Sequence, residues 1–227
     1  MFNPSFRFKQ FGIDDRRCGL KVGTDGVILG AWAECPKRCG TVLDVGAGSG
    51  LVGLMLAQRY AEIRVVAVEI DEDSFADMEL NVAQSPWGDR FELNCADFRS
   101  ATGGYDLIVC NPPFFTTGER APQAARALAR HASDLSPVSF VKFAAANLAK
   151  GGRAAMIAPS ELNDTITFEA ALAGLHVRRV ADVATSARRG VTRRLWEFAS
   201  ASCPSPEHTV IEVGSDGFKT LTADFYL

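Results

Sequence analysis

Apolar residues recur along this chain in two alternating rhythms: short β-branched runs, then longer segments with apolar residues at helical spacing, separated by glycine, proline or acidic positions. Thr41–Val45 predicts a buried strand, Gly46-Ala47-Gly48-Ser49-Gly50 a tight turn, and Leu51–Arg59 a helix. Arg64–Glu69 predicts a second strand, followed by a helix over Ser74–Gln84 with Ser74 as its N-cap and a short third strand at Phe91–Asn94. Tyr105–Cys110 predicts a fourth strand, closed abruptly by Asn111-Pro112-Pro113 because proline cannot donate to a ladder. A helix from Pro137 or Val138 to Lys150 is expected to stop at Gly151-Gly152, before a fifth strand at Arg153–Ala158 and a helix near Glu161–Leu172. His176–Val183 and Arg194–Ser200 supply two further strands. Val210–Val213 and Thr220–Phe225 around Asp216-Gly217 read as a terminal hairpin.

This alternation predicts an α/β domain over residues 1–227: a mostly parallel seven-stranded sheet with helices on both faces, an N-terminal extension and a C-terminal hairpin. Residues 1–35 are expected to lie over a bound ligand, 36–200 to form the binding core and 201–227 the hairpin. In such a sheet ligands bind at the carboxyl ends of the strands, near the point where strand order reverses.

A length of 227 residues with 47% hydrophobic and 22% charged fits one domain. The Met1–Ser5 start has no basic stretch followed by an apolar run. No apolar segment approaches the roughly 20 residues that span a bilayer, so a soluble, cytoplasmic protein with no membrane association is expected. The six cysteines are expected to be reduced. Only Cys35 and Cys39 are close together, and His131, His176 and His208 are far from them in sequence, so no metal is expected.

The net charge of −3 hides an asymmetry: +2 over residues 1–30, −7 over 31–98, +5 over 99–200 and −3 over 201–227. Within the basic stretch, Arg178-Arg179, Arg188-Arg189 and Arg193-Arg194 form three pairs in seventeen residues. They are candidates for neutralising phosphates, with a solvated strand or helix face as the plain alternative.

Three motifs sit at predicted strand ends. In Asp44-Val45-Gly46-Ala47-Gly48-Ser49-Gly50, glycines let the backbone turn sharply and approach a ligand closely. The dinucleotide fingerprint, counted from Gly46 and Gly48, requires a small residue where Leu51 stands. An acid two positions before the first glycine, with glycines at every second position, instead resembles the S-adenosyl-L-methionine (SAM) loop of class I methyltransferases. That resemblance implies a Rossmann-like class I methyltransferase fold, with Asp44 facing the methionine amino group. Glu69, ending the second strand, is placed to accept both hydroxyls of a ribose. Asp97 is a candidate for an adenine amino group, with Phe98 or Ile70 against the ring.

The third motif is Asn111-Pro112-Pro113-Phe114, followed by Phe115. Its prolines stiffen the turn, so that the Asn111 side chain and the Pro112 carbonyl hold fixed directions as two converging acceptors, which suits an NH2 group. An aromatic amine is a poor nucleophile because its lone pair is delocalised into the ring. Accepting both hydrogens favours a more pyramidal nitrogen, which can attack an activated methyl in line while Phe114 stacks on the base. The amine must belong to a flipped or single-stranded base or to a side-chain amide, and RNA loops offer such bases already splayed. Composition and spacing leave these open, together with a noncatalytic SAM- or nucleotide-binding module.

The N-terminal block resembles one family closely. Phe6-Arg7-Phe8-Lys9-Gln10-Phe11 and Cys18-Gly19-Leu20-Lys21-Val22-Gly23-Thr24-Asp25-Gly26-Val27-Ile28-Leu29-Gly30-Ala31-Trp32 are similar to the opening of the bacterial tRNA(Val) adenine-37 N6-methyltransferases. The likeness continues through the glycine loop, the Asn-Pro-Pro turn, Ala129-Arg130-His131 and the closing Asp224-Phe225-Tyr226-Leu227. It implies SAM as cofactor, S-adenosyl-L-homocysteine as product, a tRNA partner with no obligate protein partner, and Lys21, Thr24 and Asp25 near the cofactor. The Asn-Pro-Pro-aromatic turn alone is shared with DNA adenine, rRNA guanine-N2 and release-factor glutamine methyltransferases. Phe114-Phe115 stands where the family has tyrosine, which keeps the stacking surface and removes a hydroxyl.

Overall fold

A computed structural model describes residues 2–113, 135–185 and 190–226. An antiparallel hairpin of β1 (Phe6–Arg7) and β2 (Gly12–Ile13) leads into α1 (Thr24–Trp32). Then come β3 (Thr41–Val45), α2 (Leu51–Arg59), β4 (Arg64–Glu69), α3 (Glu72–Ala83), β5 (Phe91–Cys95) and β6 (Tyr105–Cys110). The chain continues through α4 (Pro137–Asn147), β7 (Leu148–Pro159), α5 (Asn163–Leu172), β8 (His176–Ala184), β9 (Val191–Ala199), β10 (Glu207–Glu212) and α6 (Asp216–Leu221). Among the described residues no helix is long and apolar enough to cross a membrane.

The main sheet runs β10-β8-β9-β7-β6-β3-β4-β5, and all its strands are parallel except β9. Its central strands are buried on both faces, which explains their nearly continuous apolar sequences. Alternation divides them between two cores: Leu107 and Val109 pack towards α1 and α2, while Ile108 and Cys110 pack towards α4 and α5. From β3 the chain builds outward to β4 and β5, then returns to lay β6 on the other side of β3. Register then decides where the polar motifs meet. Val45 pairs with both Val68 and Cys110, so Gly46, Glu69 and Asn111 leave the sheet side by side.

Four expectations need correction. Helix α3 starts at Glu72 with Asp71 as N-cap, its carboxylate accepting from Ser74 N at 2.9 Å, so Ser74 lies inside the first turn. Helix α4 ends at Asn147, and Gly151-Gly152 lies within β7. Gly151 takes φ +82° where the register with β6 shifts, and a Cβ on Gly152 would meet Tyr105 O at 2.7 Å. The glycine pair therefore makes a strand irregularity rather than a helix stop. The C-terminal segment forms no hairpin: β10 adds an eighth strand, parallel to β8, and Ser215 caps α6 by accepting from Phe218 N at 3.2 Å.

The two chain ends clasp one another. Lys9 N donates to Phe225 O at 2.9 Å and Lys9 Nζ to Ala223 O at 2.6 Å, while Tyr226 packs against Phe6 and Phe8.

Candidate active site

Gly46, Gly48 and Gly50 adopt φ of +63°, +56° and +80°, so every second residue of the turn is left-handed, a conformation that a side chain would strain. Space above Gly48 is open, with nothing within 4 Å of a Cβ placed there. Glu69 braces the turn: its Oε2 accepts from Gly48 N at 2.8 Å and its Oε1 from Asp71 N at 2.9 Å. Burial pushes its carboxyl above the usual range. Each oxygen keeps a lone pair for a ligand.

Asp44 lies behind the turn, 2% exposed. Its Oδ2 accepts from Gly53 N at 2.8 Å, and burial pushes its pKa up to about 7. A Cβ on Gly53 would lie 3.1 Å from Phe91 Cε1 and 3.2 Å from that oxygen, so α2 packs tightly against Asp44 at this glycine. A desolvated carboxyl in this position favours a cation as its neighbour.

Asn111 follows β6, with Pro112 buried behind it. Its Oδ1 is buried and has no hydrogen-bond partner among the described residues. A buried acceptor left unmade is costly, and at the carboxyl edge of such a sheet it is a candidate position for a ligand donor. Helix α1 begins alongside: a Cβ on Gly26 would lie 3.8 Å from Asn111 Nδ2 and 3.1 Å from Leu51 Cδ2. This places Thr24 and Asp25, in the first turn of α1, near the turn after β6.

The other expected residues divide. Ile70, 38% exposed, presents an apolar surface beside Glu69. Phe98 is buried edge-on against Phe143, with ring centroids 5.2 Å apart, and belongs to the core beneath the sheet. Asp97 accepts from Arg99 N at 2.8 Å and pairs with the Arg99 guanidinium, which holds its carboxyl below the usual range. Lys21 Nζ donates to Asp15 O at 2.5 Å and Arg16 O at 2.9 Å, fastening its own segment. Asp25 Oδ2 accepts from Arg193 Nε at 2.9 Å. Phe114, Phe115, Arg188 and Arg189 lie outside the described residues.

Of the arginines read as one patch, Arg178, Arg179 and Arg194 are built into two ion-pair clusters at different heights on the sheet. Arg179 donates to Glu34, to Trp32 O and to the fully buried Glu197, and lies over the Trp32 ring at 4.2 Å. Arg178 and Arg153 approach the same Glu197 at 3.4 Å. Nearer the carboxyl edge, Arg194 makes a two-pronged pair with Asp182 at 2.6 and 3.0 Å, and His208 reaches the same carboxylate at 2.8 Å. Sequence reasoning missed Glu197, Asp182 and two residues of α3, Asp77 and Asn81. The signal for the last two was a polar stripe, Ser74, Asp77 and Asn81, on the face of a helix that also buries Met78 and Val82.

The Methyltransferase small domain family matches residues 32–182. Proteins named tRNA1(Val) (adenine(37)-N6)-methyltransferase match end to end. The one from Vibrio cholerae is 36% identical, covering 100% of this chain and 97% of the relative. That from Bacteroides thetaiotaomicron is 38% identical over 100% and 99%, and that from Klebsiella pneumoniae 39% over 98% and 94%. The chain belongs to this family. As a tRNA1(Val) (adenine(37)-N6)-methyltransferase family member it has the class I methyltransferase fold, which solved structures also display at low identity. The ribosomal protein L11 methylase of Lactobacillus delbrueckii subsp. bulgaricus superposes with a TM-score of 0.59 at 16% identity, over 82% of this chain and 83% of that one. A Pyrococcus furiosus methyltransferase gives 0.52 at 20% identity, over 72% and 77%.

Proposed function

We propose that this enzyme transfers the methyl group of SAM to N6 of an adenine in tRNA, namely the adenine 37 of tRNA(Val) that its relatives' names specify. The observation that carries the reading is the buried Asn111 Oδ1, without a hydrogen-bond partner among the described residues, next to a left-handed glycine turn backed by a desolvated acid.

The residues present fit the cofactor. Gly46, Gly48 and Gly50 would line its cradle, Glu69 would accept from the ribose hydroxyls, Asp44 would neutralise the cationic amino end and Ile70 would offer the adenine an apolar surface. The cofactor supplies a methyl group on a positively charged sulfur, a good leaving group. The chain's part is to aim the nucleophile. Asn111 Oδ1 and the Pro112 carbonyl each accept one hydrogen of the amine, drawing its lone pair out of conjugation with the ring and towards the glycine turn, so that proximity and orientation lower the barrier. Once methylated, the nitrogen is strongly acidic and gives its extra proton to water, so no shifted general base is required. From the sequence, Pro113 stiffens the turn, Phe114 stacks on the base, and Phe115 with Arg188 and Arg189 contacts RNA.

Incubation with tritiated SAM and tRNA lacking the modification, alongside release factor, tests this. Label in tRNA at N6 of adenine is expected, and label confined to protein overturns the reading. Asn111→Ala should lower turnover by about 10²–10³-fold, the size of one lost positioned polar group. Its SAM affinity should stay within about threefold of wild type, under 0.7 kcal/mol.

A further inference from the structure

A buried polar stripe on α3 has no part in the reaction as described. Asn81, 0% exposed, makes three hydrogen bonds to two separate stretches of backbone. Its Oδ1 accepts from Asp14 N at 2.7 Å, while its Nδ2 donates to Asp14 O at 2.8 Å and to Ser49 O, within the glycine turn, at 2.9 Å. Asp77, one turn earlier and 1% exposed, accepts from Arg17 N and Arg17 Nε at 2.7 Å and from Cys18 N at 3.2 Å. The grip extends along the chain: Asp15 accepts from Val22 N at 2.7 Å, and Lys21 caps the carbonyls of Asp15 and Arg16. After Val22 the chain enters α1, whose Gly26 abuts Asn111.

We propose that Asn81, supported by Asp77, is a positioning residue that joins the cofactor's glycine turn to segment 14–25, so that filling the turn orders the face on which the substrate amine is presented. This deepens the SAM-binding part of the reading above. Fastening segment 14–25 alone needs bonds to Asp14 only. One NH2 group divided between Asp14 O and Ser49 O makes the two backbones move together, and a shared element of this kind can carry coupling between sites.

Hydrogen exchange with S-adenosyl-L-homocysteine as the probe tests the link without RNA. In the wild type the probe should slow exchange in both 46–53 and 14–25. In Asn81→Asp the acceptor for Asp14 N remains, but an acceptor now faces Ser49 O and Asp14 O. Protection of 46–53 should persist there while protection of 14–25 is lost. In parallel, the probe should tighten tRNA binding at least about fivefold in the wild type, a usual coupling factor, and the factor should fall towards one in the variant. Should Asn81→Asp not fold, Asp77→Asn, which keeps an oxygen for Arg17 N and Cys18 N but drops the charge, should show weakened protection of 14–25. Protection of 14–25 unchanged in the folded variants, or absent in the wild type while 46–53 is protected, overturns the proposal and leaves the methylation reading standing. Absence of protection at both segments in the wild type overturns the cofactor site itself. Protection as expected with no methylation of tRNA supports the link and refutes the substrate.

Discussion

Asp44→Asn should make the ligand-free enzyme more stable at alkaline pH and at the same time weaken cofactor binding. Burial raises the folded-state pKa of Asp44 from 3.8 to about 7, against a single hydrogen bond from Gly53 N. Between those values the unfolded chain has lost its proton and the folded chain keeps it, so stability falls as pH rises and levels off above about 7. Three units correspond to about 4 kcal/mol at 1.36 kcal/mol per unit, the ceiling of the penalty at pH 8. Asparagine keeps a carbonyl oxygen for Gly53 N and carries no charge, but its buried NH2 costs about 1–3 kcal/mol if unpaired. The net gain at pH 8 is therefore about 1–3 kcal/mol, or roughly 2–12 °C in Tm for a chain of this size. Calorimetry of both proteins without ligand at pH 5 and 8 reads it out. The gap between variant and wild type should widen by about 3 kcal/mol from pH 5 to 7, following the slope of 1.36 per unit. A cationic ligand that lowers the Asp44 pKa displaces its proton, so wild-type affinity for S-adenosyl-L-homocysteine should climb across the same window and that of the variant should stay flat. Parallel pH profiles for the two proteins, in stability or in binding, would refute the assignment of Asp44 as the desolvated partner of the cofactor's amino group.

Helix α1 packs on α2 at glycine: a Cβ on Gly30 would lie 2.7 Å from Met55 Sδ and 2.9 Å from Met55 Cβ, and Met55 is fully buried. Gly30→Ala should lower stability by about 1–3 kcal/mol through overpacking, and an unchanged Tm would show that Met55 has room to move. Glu197→Ala should cost about 3–5 kcal/mol, because it removes the buried carboxylate shared by Arg153, Arg178 and Arg179. Denaturant unfolding checks this, and a loss below 1 kcal/mol would mean that Glu34 alone holds Arg179.

The readable parts of the chain were those whose partners lie close in sequence or whose environment is uniform. β3 and α2 appear at the expected residues because the glycine turn defines one end of each and both are buried along their length. At α3 two cap candidates stand three residues apart. The choice of Asp71 over Ser74 rests on which side chain folds back to the amide of the other. Gly151-Gly152 carries the same local signal for a helix stop and for a strand irregularity, and only the approach of Tyr105 O, on a neighbouring strand, separates them. The arginines are the sharper case. Arg179 meets Glu34 across 145 residues and Arg193 meets Asp25 across 168, so in sequence they look like unspent charge. In the fold they tie β8 and β9 to the two ends of α1, the helix that starts beside Asn111. Hydropathy periodicity reports which side of an element is covered and is silent on what covers it. At Asn81 the cover is a stretch of irregular backbone whose amides and carbonyls need partners, which is why a buried carboxamide occupies a place where periodicity expects an apolar side chain.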